Sequence, residues 1–275
     1  MKMQCKGMAT GLILTGLISC ETYSLRQLFF DGKADLVSIC KTFRDLGIPG
    51  ISLNSMFLKS WEKAYLDTLK QAVADNGLVI TAVIQEGDLA TLDAAAQERQ
   101  IKEDDERIRA AAYLGAPVIR LNLGGTGDPA KEDTVGVDRV IAAFNRLLPT
   151  ARECHVKLAI ENHGGVSGKA DNILRIIKGT DPAWVGSCLD FGNWPADARY
   201  AECQKLAPHV FHVHAKAGGF EANGEASGMD WGRIIKMLRD AGYKGALSIE
   251  YEGGGDPVQG VQKSRDLLLR CWPAP

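Results

Sequence analysis

Residues 156–190 read Val156-Lys-Leu-Ala-Ile-Glu-Asn-His-Gly-Gly-Val-Ser-Gly-Lys-Ala-Asp-Asn-Ile-Leu-Arg-Ile-Ile-Lys-Gly-Thr-Asp-Pro-Ala-Trp-Val-Gly-Ser-Cys-Leu-Asp190. They contain one complete unit: a short apolar strand over 156–161, a helix over 171–178 and a second strand over 185–190. Strands this apolar are covered on both faces, as in a parallel sheet. Toward the N-terminus the same alternation gives strands over 12–23, 51–54, 78–84 and 118–122. Helices lie between them over 31–46, 61–75, 94–114 and 135–154, and Asn76-Gly77 ends the second of these in the expected way. Toward the C-terminus come a helix over 198–206, strands over 210–214 and 246–250, and helices over 231–241 and 258–270. Eight strands, each followed by a helix, predict a parallel α/β sheet. In a chain of 275 residues, eight such units suit a closed (β/α)8 TIM barrel better than an open doubly wound sheet. An open sheet usually carries G-x-G-x-x-G after its first strand, and none follows Tyr23. No linker or low-complexity stretch interrupts the pattern, so residues 1–275 read as one domain.

Composition narrows the function classes. Hydrophobic residues make up 45% and charged residues 24%, and the formal net charge is −2. These are globular values, and they offer no electrostatic grip on a nucleic-acid backbone. The seven cysteines are scattered without a C-x-x-C pair, which reads as reduced thiols in a cytoplasmic protein and excludes a zinc finger. Lys2 and Lys6 precede an apolar run over 8–20, and Leu17-Ile-Ser-Cys20 resembles a lipoprotein cleavage box. An exported lipoprotein anchored through Cys20 is therefore the alternative address. The preferred reading is a buried first strand, because cleavage before Cys20 would cut through it. No other apolar run approaches the ~20 residues of a membrane span.

In such a barrel the chemistry sits at the C-terminal strand ends. The fifth strand ends in Ile160-Glu161-Asn162-His163-Gly164-Gly165 and the sixth in Leu189-Asp190-Phe191-Gly192-Asn193. The seventh ends in His212-Val213-His214-Ala215-Lys216 and the eighth in Ile249-Glu250-Tyr251-Glu252. The gaps from Glu161 to Asp190, His214 and Glu250 are 29, 24 and 36 residues in turn, each about one β/α unit. A barrel thus brings three carboxylates and one imidazole to one mouth. Three such charges require compensation, and a divalent cation (Mn, Mg, Co or Zn) supplies it. Each residue has a plainer alternative, such as a salt-bridged strand end, a turn cap or a structural histidine, but four successive strand ends are not independent accidents. His212, one layer deeper, is a packing or supporting residue.

Other strand-end residues are candidates for substrate contact. His163 and Lys216 lie two residues beyond ligand candidates, and Lys216 offers a cation for a developing oxyanion. Asn54, Glu86, Arg120, Asn122 and Asn193 suit sugar hydroxyls. Trp194 and Trp231 are read either as sugar-stacking faces or as loop packing. The Gly124-Gly125-Thr126-Gly127 loop could approach a phosphate but lacks the Lys and Ser/Thr of a P-loop. Cys20 and Cys188 read as small buried apolar residues rather than nucleophiles.

These strand-end motifs, from Glu21-Thr-Tyr-Ser24 to Ser248-Ile-Glu-Tyr-Glu252, resemble the xylose isomerase-like TIM barrel superfamily, the sugar phosphate isomerase/epimerase family. The resemblance spans nearly the whole chain. It implies that Glu161, Asp190, His214 and Glu250 bind one divalent metal and that the two glutamates move protons on opposite substrate faces. Two positions depart from the family's ketose epimerases. Asn193 stands where they carry a substrate-binding His, and Ala217-Gly-Gly-Phe220 follows Lys216 where they place an Arg. The pattern is closer to broad branches that include lyases and dehydratases acting on keto-sugars and inososes.

The expected function is a divalent-metal-dependent isomerase or epimerase of carbohydrates. It would transfer protons through a metal-stabilised enediolate, with Glu161 or Glu250 as base. The alternative is a lyase or dehydratase in which Lys216 or His163 protonates a leaving group and the same intermediate loses water or a glycosyl group. A non-catalytic sugar-binding barrel is a further reading. An abasic-site endonuclease, which shares this barrel, is opposed by the few histidines and the net charge. The expected partner is a small carbohydrate, with no nucleic acid or membrane, and barrels of this kind often form homo-oligomers.

Overall fold

The computed structural model describes residues 14–272. The chain order is β1 (Ile18–Glu21), α1 (Arg26–Phe30), α2 (Ile39–Asp45), β2 (Gly50–Asn54), α3 (Lys63–Asp75), β3 (Val79–Gln85), α4 (Ala94–Leu114), β4 (Val118–Leu121) and α5 (Val137–Cys154). It continues with β5 (Lys157–Glu161), α6 (Ala170–Lys178), β6 (Val185–Asp190), α7 (Arg199–Leu206), β7 (Val210–Ala217), α8 (Trp231–Asp240), β8 (Leu247–Tyr251) and α9 (Pro257–Cys271). The strands close into a barrel in sequence order, and β8 pairs back onto β1 in parallel.

Local chemistry sets the element ends. Asp93 caps α4 by accepting from the Ala95 and Ala96 N–H groups, and Gly115 ends it at φ 87°, where a side chain would be strained. The helix expected over 31–46 forms only as α2 over Ile39–Asp45, and the short α1 before it was not expected. Gly32 turns at φ 67°, and Asp35 and Ser38 then exchange hydrogen bonds of 2.8 and 2.9 Å, so α1 ends at Phe30 and α2 begins at Ile39. The first strand is shorter than expected because Gly16, at φ 68°, lies in a turn. The part of the apolar N-terminal run before residue 14, weighed above as leader or strand, lies outside the described residues. Cys20 is fully buried in β1, paired to Ile51 on one side and Ile249 on the other. β7 runs three residues further than expected, which puts Lys216 in one row with His212 and His214.

Two cores divide the apolar residues. The larger one fills the space between barrel and helices, with Phe43, Phe144, Phe191 and Trp231 as its largest fully buried side chains. Ala82, Ile84, Val118, Ala159 and Cys188 form a second, small cluster. Apart from it, a hydroxyl network runs through buried residues of β1, β2, β3, β7 and β8. Ser52 Oγ lies 3.0 Å from both Thr81 Oγ1 and Ser248 Oγ and 3.2 Å from His212 Nε2, and Ser19 Oγ lies 2.7 Å from Thr81 Oγ1. The barrel interior is therefore half polar beneath the C-terminal mouth.

Cys20, Cys40, Cys188, Cys203 and Cys271 are free thiols. Among the described residues no helix is long and apolar enough to cross a membrane.

Candidate metal centre

The ends of β5 to β8 bring Glu161, Asp190, His214 and Glu250 together, all buried, with potential ligand atoms within 4.8 Å of one another. Alternation along each strand explains the convergence: inward positions recur every second residue, so Ser248 is followed by Glu250 and His212 by His214.

Glu161 is fully engaged. Its Oε1 lies 2.8 Å from His214 Nδ1. Its Oε2 accepts from Arg120 Nε at 2.7 Å and also from Arg120 Nη2. Arg120 Nη1 donates to the Gln85 carbonyl at 3.2 Å and to Glu86 Oε1 at 3.1 Å. Burial pushes the Glu161 carboxyl up, but Arg120 and His214 more than reverse this and hold it well below the usual carboxylate range.

The opposite wall differs. Asp190 Oδ1 accepts from the Gly192 and Asn193 N–H groups at 2.6 and 2.8 Å. Asn162 clamps the Asp190 backbone, donating to its carbonyl at 3.0 Å and accepting from its N–H at 2.9 Å. Lys216 Nζ stands 3.3 Å from Asp190 Oδ2 and 3.2 Å from Glu250 Oε2, yet neither oxygen receives a directed hydrogen bond. The same ammonium pairs with Glu252 at 2.9 Å and donates to Asn193 Oδ1 at 2.9 Å. Burial, then the Glu250 charge, pushes Asp190 well up, and burial also raises Glu250. Burial works against a charge on Lys216, but Asp190, Glu250 and Glu252 hold its ammonium above the ordinary lysine range.

Asp190 Oδ2, His214 Nε2 and Glu250 Oε2 are buried polar atoms without a hydrogen-bond partner. Buried polar atoms are rarely left so. Three carboxylates around one imidazole suit Mn, Mg, Co or Zn with positions open to a substrate, so the residues present fit a divalent cation. The neighbouring His212 packs edge-on against His214 at 5.5 Å. Burial and the charge of His214 hold His212 well below the usual histidine range, which leaves it a neutral packing partner.

The other site candidates divide. His163 is exposed at the rim, with its backbone N–H bonded to Ser167 Oγ at 3.0 Å. Glu86 is partly exposed and accepts from Asn122 Nδ2 at 2.8 Å, so Glu86 and Asn122 stand on the mouth side of Arg120. Arg120 itself is 3% exposed and donates to Glu161, Glu86 and the Gln85 carbonyl. Asn54 is buried and caps the turn after β2 by accepting from Met56 N–H at 3.0 Å. Asn193 is taken by Lys216. Trp194 is 4% exposed and Trp231 fully buried against Phe191, so the packing reading replaces the sugar-stacking one. The amides of the Gly124–Gly127 loop do not await a phosphate: Thr126 N–H donates to Glu132 at 2.8 Å, and a Cβ on Gly124 would meet Asp88.

Glu252, two residues beyond Glu250 in the same strand-end motif, shares Lys216. Two polar residues lie outside the sequence-based candidates, and one of them, Asn162, holds Asp190. Glu21 at the end of β1 is fully buried, with Oε2 accepting from Tyr23 N–H at 2.7 Å and Oε1 unpartnered. Its position at a strand end was the available signal.

Comparison with known proteins agrees with this architecture. The chain is 41% identical to a C-glycoside deglycosidase alpha subunit from Microbacterium trichothecenolyticum, over 84% of this chain and 82% of that one. It is 38% identical to a protein of the same description from Arthrobacter globiformis, but over 24% of this chain and only 21% of that protein. Among solved structures, D-psicose 3-epimerase from Clostridium cellulolyticum H10, solved with D-tagatose, superposes with a TM-score of 0.76 at 15% identity, covering 92% of this chain and 98% of that one. The family model for xylose isomerase-like TIM barrels matches residues 40–271. With its closed eight-stranded barrel, the chain belongs to the xylose isomerase-like TIM barrel family.

Proposed function

We propose that this chain is a divalent-metal-dependent enzyme that removes a proton beside the carbonyl of a keto-sugar derivative and then expels a substituent: a lyase-type deglycosidation. The carrying observation is the inequality of the two glutamates. Glu161 has both oxygens hydrogen-bonded and is held ionised, whereas Glu250 Oε2 receives no directed hydrogen bond, faces only the shared Lys216 ammonium at 3.2 Å, and belongs to a carboxyl raised by burial. Glu250 is therefore the general base and Glu161 a fixed anionic ligand. Glu161, Asp190, His214 and Glu250 would hold the ion. When bound, it supplies Lewis acidity that polarises a carbonyl and makes the adjacent C–H more acidic.

Lys216, kept firmly protonated, is a poor proton donor and instead faces the negative charge that develops on the substrate oxygen. Once Glu250 has taken the proton, the electron pair left on carbon expels the group on the next carbon with its bonding pair. That group departs with a proton from the rim, where His163 is the exposed imidazole. Glu86 and Asn122 orient hydroxyls. The likeness to a deglycosidase subunit over most of both chains supports elimination as the outcome.

Epimerisation is the second reading, and it starts with the same proton abstraction by Glu250. It then needs a second carboxyl that can carry a proton, and the ionised, doubly engaged Glu161 is ill suited to that. The test is incubation of metal-loaded protein with keto-glycosides in D₂O. Aglycone release supports the proposal. An unchanged mass apart from deuterium uptake selects epimerisation. No exchange with any keto-sugar rejects both.

A further inference from the structure

Asp190 is held differently from the other three residues of the candidate centre: its hydrogen bonds are made with neutral amides. β5 pairs with β6 from Leu158 opposite Val185 to Glu161 opposite Cys188, and the chain then turns at Gly164, with φ 85°. Beyond Glu161 the pairing of β5 with β6 stops, and the Asp190 N–H and carbonyl are left for another partner. The buried side chain of Asn162 takes both, Nδ2 donating to the carbonyl at 3.0 Å and Oδ1 accepting from the N–H at 2.9 Å. One amide thus serves as an extra rung between the two strands. The rung needs one donor and one acceptor at this reach: an ionised aspartate has no donor, leucine has neither, and glutamine is longer by a carbon.

The rung has a consequence for the carboxylate. Asn162 fixes the Asp190 backbone from the β5 side, and the Gly192 and Asn193 N–H groups hold Oδ1 at 2.6 and 2.8 Å. Oδ2 alone is left without a hydrogen bond, so Asp190 offers the centre one oxygen. Glu161 is limited in the same way, because Arg120 holds its Oε2. Three carboxylates and an imidazole do not by composition reject calcium. Calcium is favoured by flexible sites that supply about six to eight oxygens, some from carboxylates that give two. A carboxylate fixed to one oxygen denies it both.

We propose that Asn162 is a positioning residue that holds Asp190 to one-oxygen ligation and so makes the centre prefer a small divalent cation to calcium. This rests on the metal-dependent reading above and adds what tunes the choice of ion. Asn162 is buried and its amide is spent on the backbone of β6, so it acts through Asp190. Because it follows Glu161 directly in the chain, the same amide also fixes the spacing between two of the four candidate ligands.

The test measures Mn²⁺ and Ca²⁺ binding by calorimetry, on chelator-treated full chain without substrate and on the variants Asn162→Leu and Asn162→Ala. Alanine leaves room for water at the two backbone groups and stands in for leucine if that variant does not fold. The unaltered protein should bind Mn²⁺ more tightly than Ca²⁺. The variants should lose about 10–100-fold in Mn²⁺ affinity and less in Ca²⁺ affinity, so that the ratio of the two falls by about tenfold. A merely structural role would lower the stability of the variants to urea and leave both affinities of the folded protein, and their ratio, unchanged; that result overturns the proposal. So does equal binding of the two ions by the unaltered protein. No Mn²⁺ bound by the unaltered protein rejects the metal-dependent reading and this proposal with it. Because the ions bind without substrate, absence of exchange in D₂O leaves a changed ratio standing, and an unchanged ratio leaves the exchange standing.

Discussion

The two walls of the candidate centre hold carboxylates of the same kind under different control. On the β4–β5 side, one guanidinium with 4% side-chain exposure grips one oxygen of Glu161 through two nitrogens. On the β6–β8 side, one ammonium with 14% exposure is shared among Asp190, Glu250 and Glu252. A fork matched to a carboxylate fixes its charge, and a point charge shared three ways does not. Burial is close to complete for both glutamates, so the partner, not the depth, decides which can carry a proton. The first test pits them against each other. Glu250→Gln should slow deuterium exchange into substrate by about 10²–10⁴-fold with the fold unchanged. Glu161→Gln should lose the metal and also lower stability to urea. Indistinguishable variants would break the comparison.

The cations give the next largest effect. Removing one partner of a buried ion pair typically costs about 3–5 kcal/mol, and Arg120→Met should show that loss in urea denaturation. Lys216→Met also strips charge from buried carboxylates, but an ion bound by Asp190 and Glu250 replaces what was removed. Added Mn²⁺ should therefore restore much of the stability of Lys216→Met and little of Arg120→Met, since Arg120 also holds Glu86 and the Gln85 carbonyl. Equal rescue of both would show the walls to be equivalent.

The barrel and the convergence of its last four strands were legible in sequence for one reason. Apolar strands of regular spacing leave few places for a carboxylate, so Glu161, Asp190 and Glu250 stand out where each strand stops. Glu21 obeys the same rule but was absorbed into an apolar strand whose end had been placed two residues late. What Arg120 and Trp194 do was not legible, because choosing between a solvent-facing and a committed side chain requires knowing what lies across the barrel. Asn162 acts by clamping the backbone of a neighbouring strand, which residue types do not reveal. The break between α1 and α2 hangs on one positive φ at Gly32 and a reciprocal Asp35–Ser38 cap, signals outweighed by the apolar period around them.

Glu21 sharpens the comparison with the smallest change. It is as buried as Glu161 but has no guanidinium fork, and burial pushes its carboxyl up to about 7, with His214, the Tyr23 N–H, Asn54 and Arg120 only partly offsetting this. The sign follows from linkage. A folded value raised above the unfolded one means that the native protein holds a proton the unfolded chain has released. The stability from this group is then complete below about pH 4 and is lost as pH rises through 7. At ~1.4 kcal/mol for each pH unit between the ordinary value and 7, the loss is about 3 kcal/mol. Glu21→Gln cannot ionise, so urea denaturation of chelator-treated protein should show the variant gaining on the unaltered chain by about that amount between pH 4 and pH 8. Metal loading places positive charge near Glu21 and should shrink the gain by favouring its ionised form. A gain that does not depend on pH would mean that Glu21 is already ionised, and that the β1 side of the barrel carries a counter-charge as effective as Arg120.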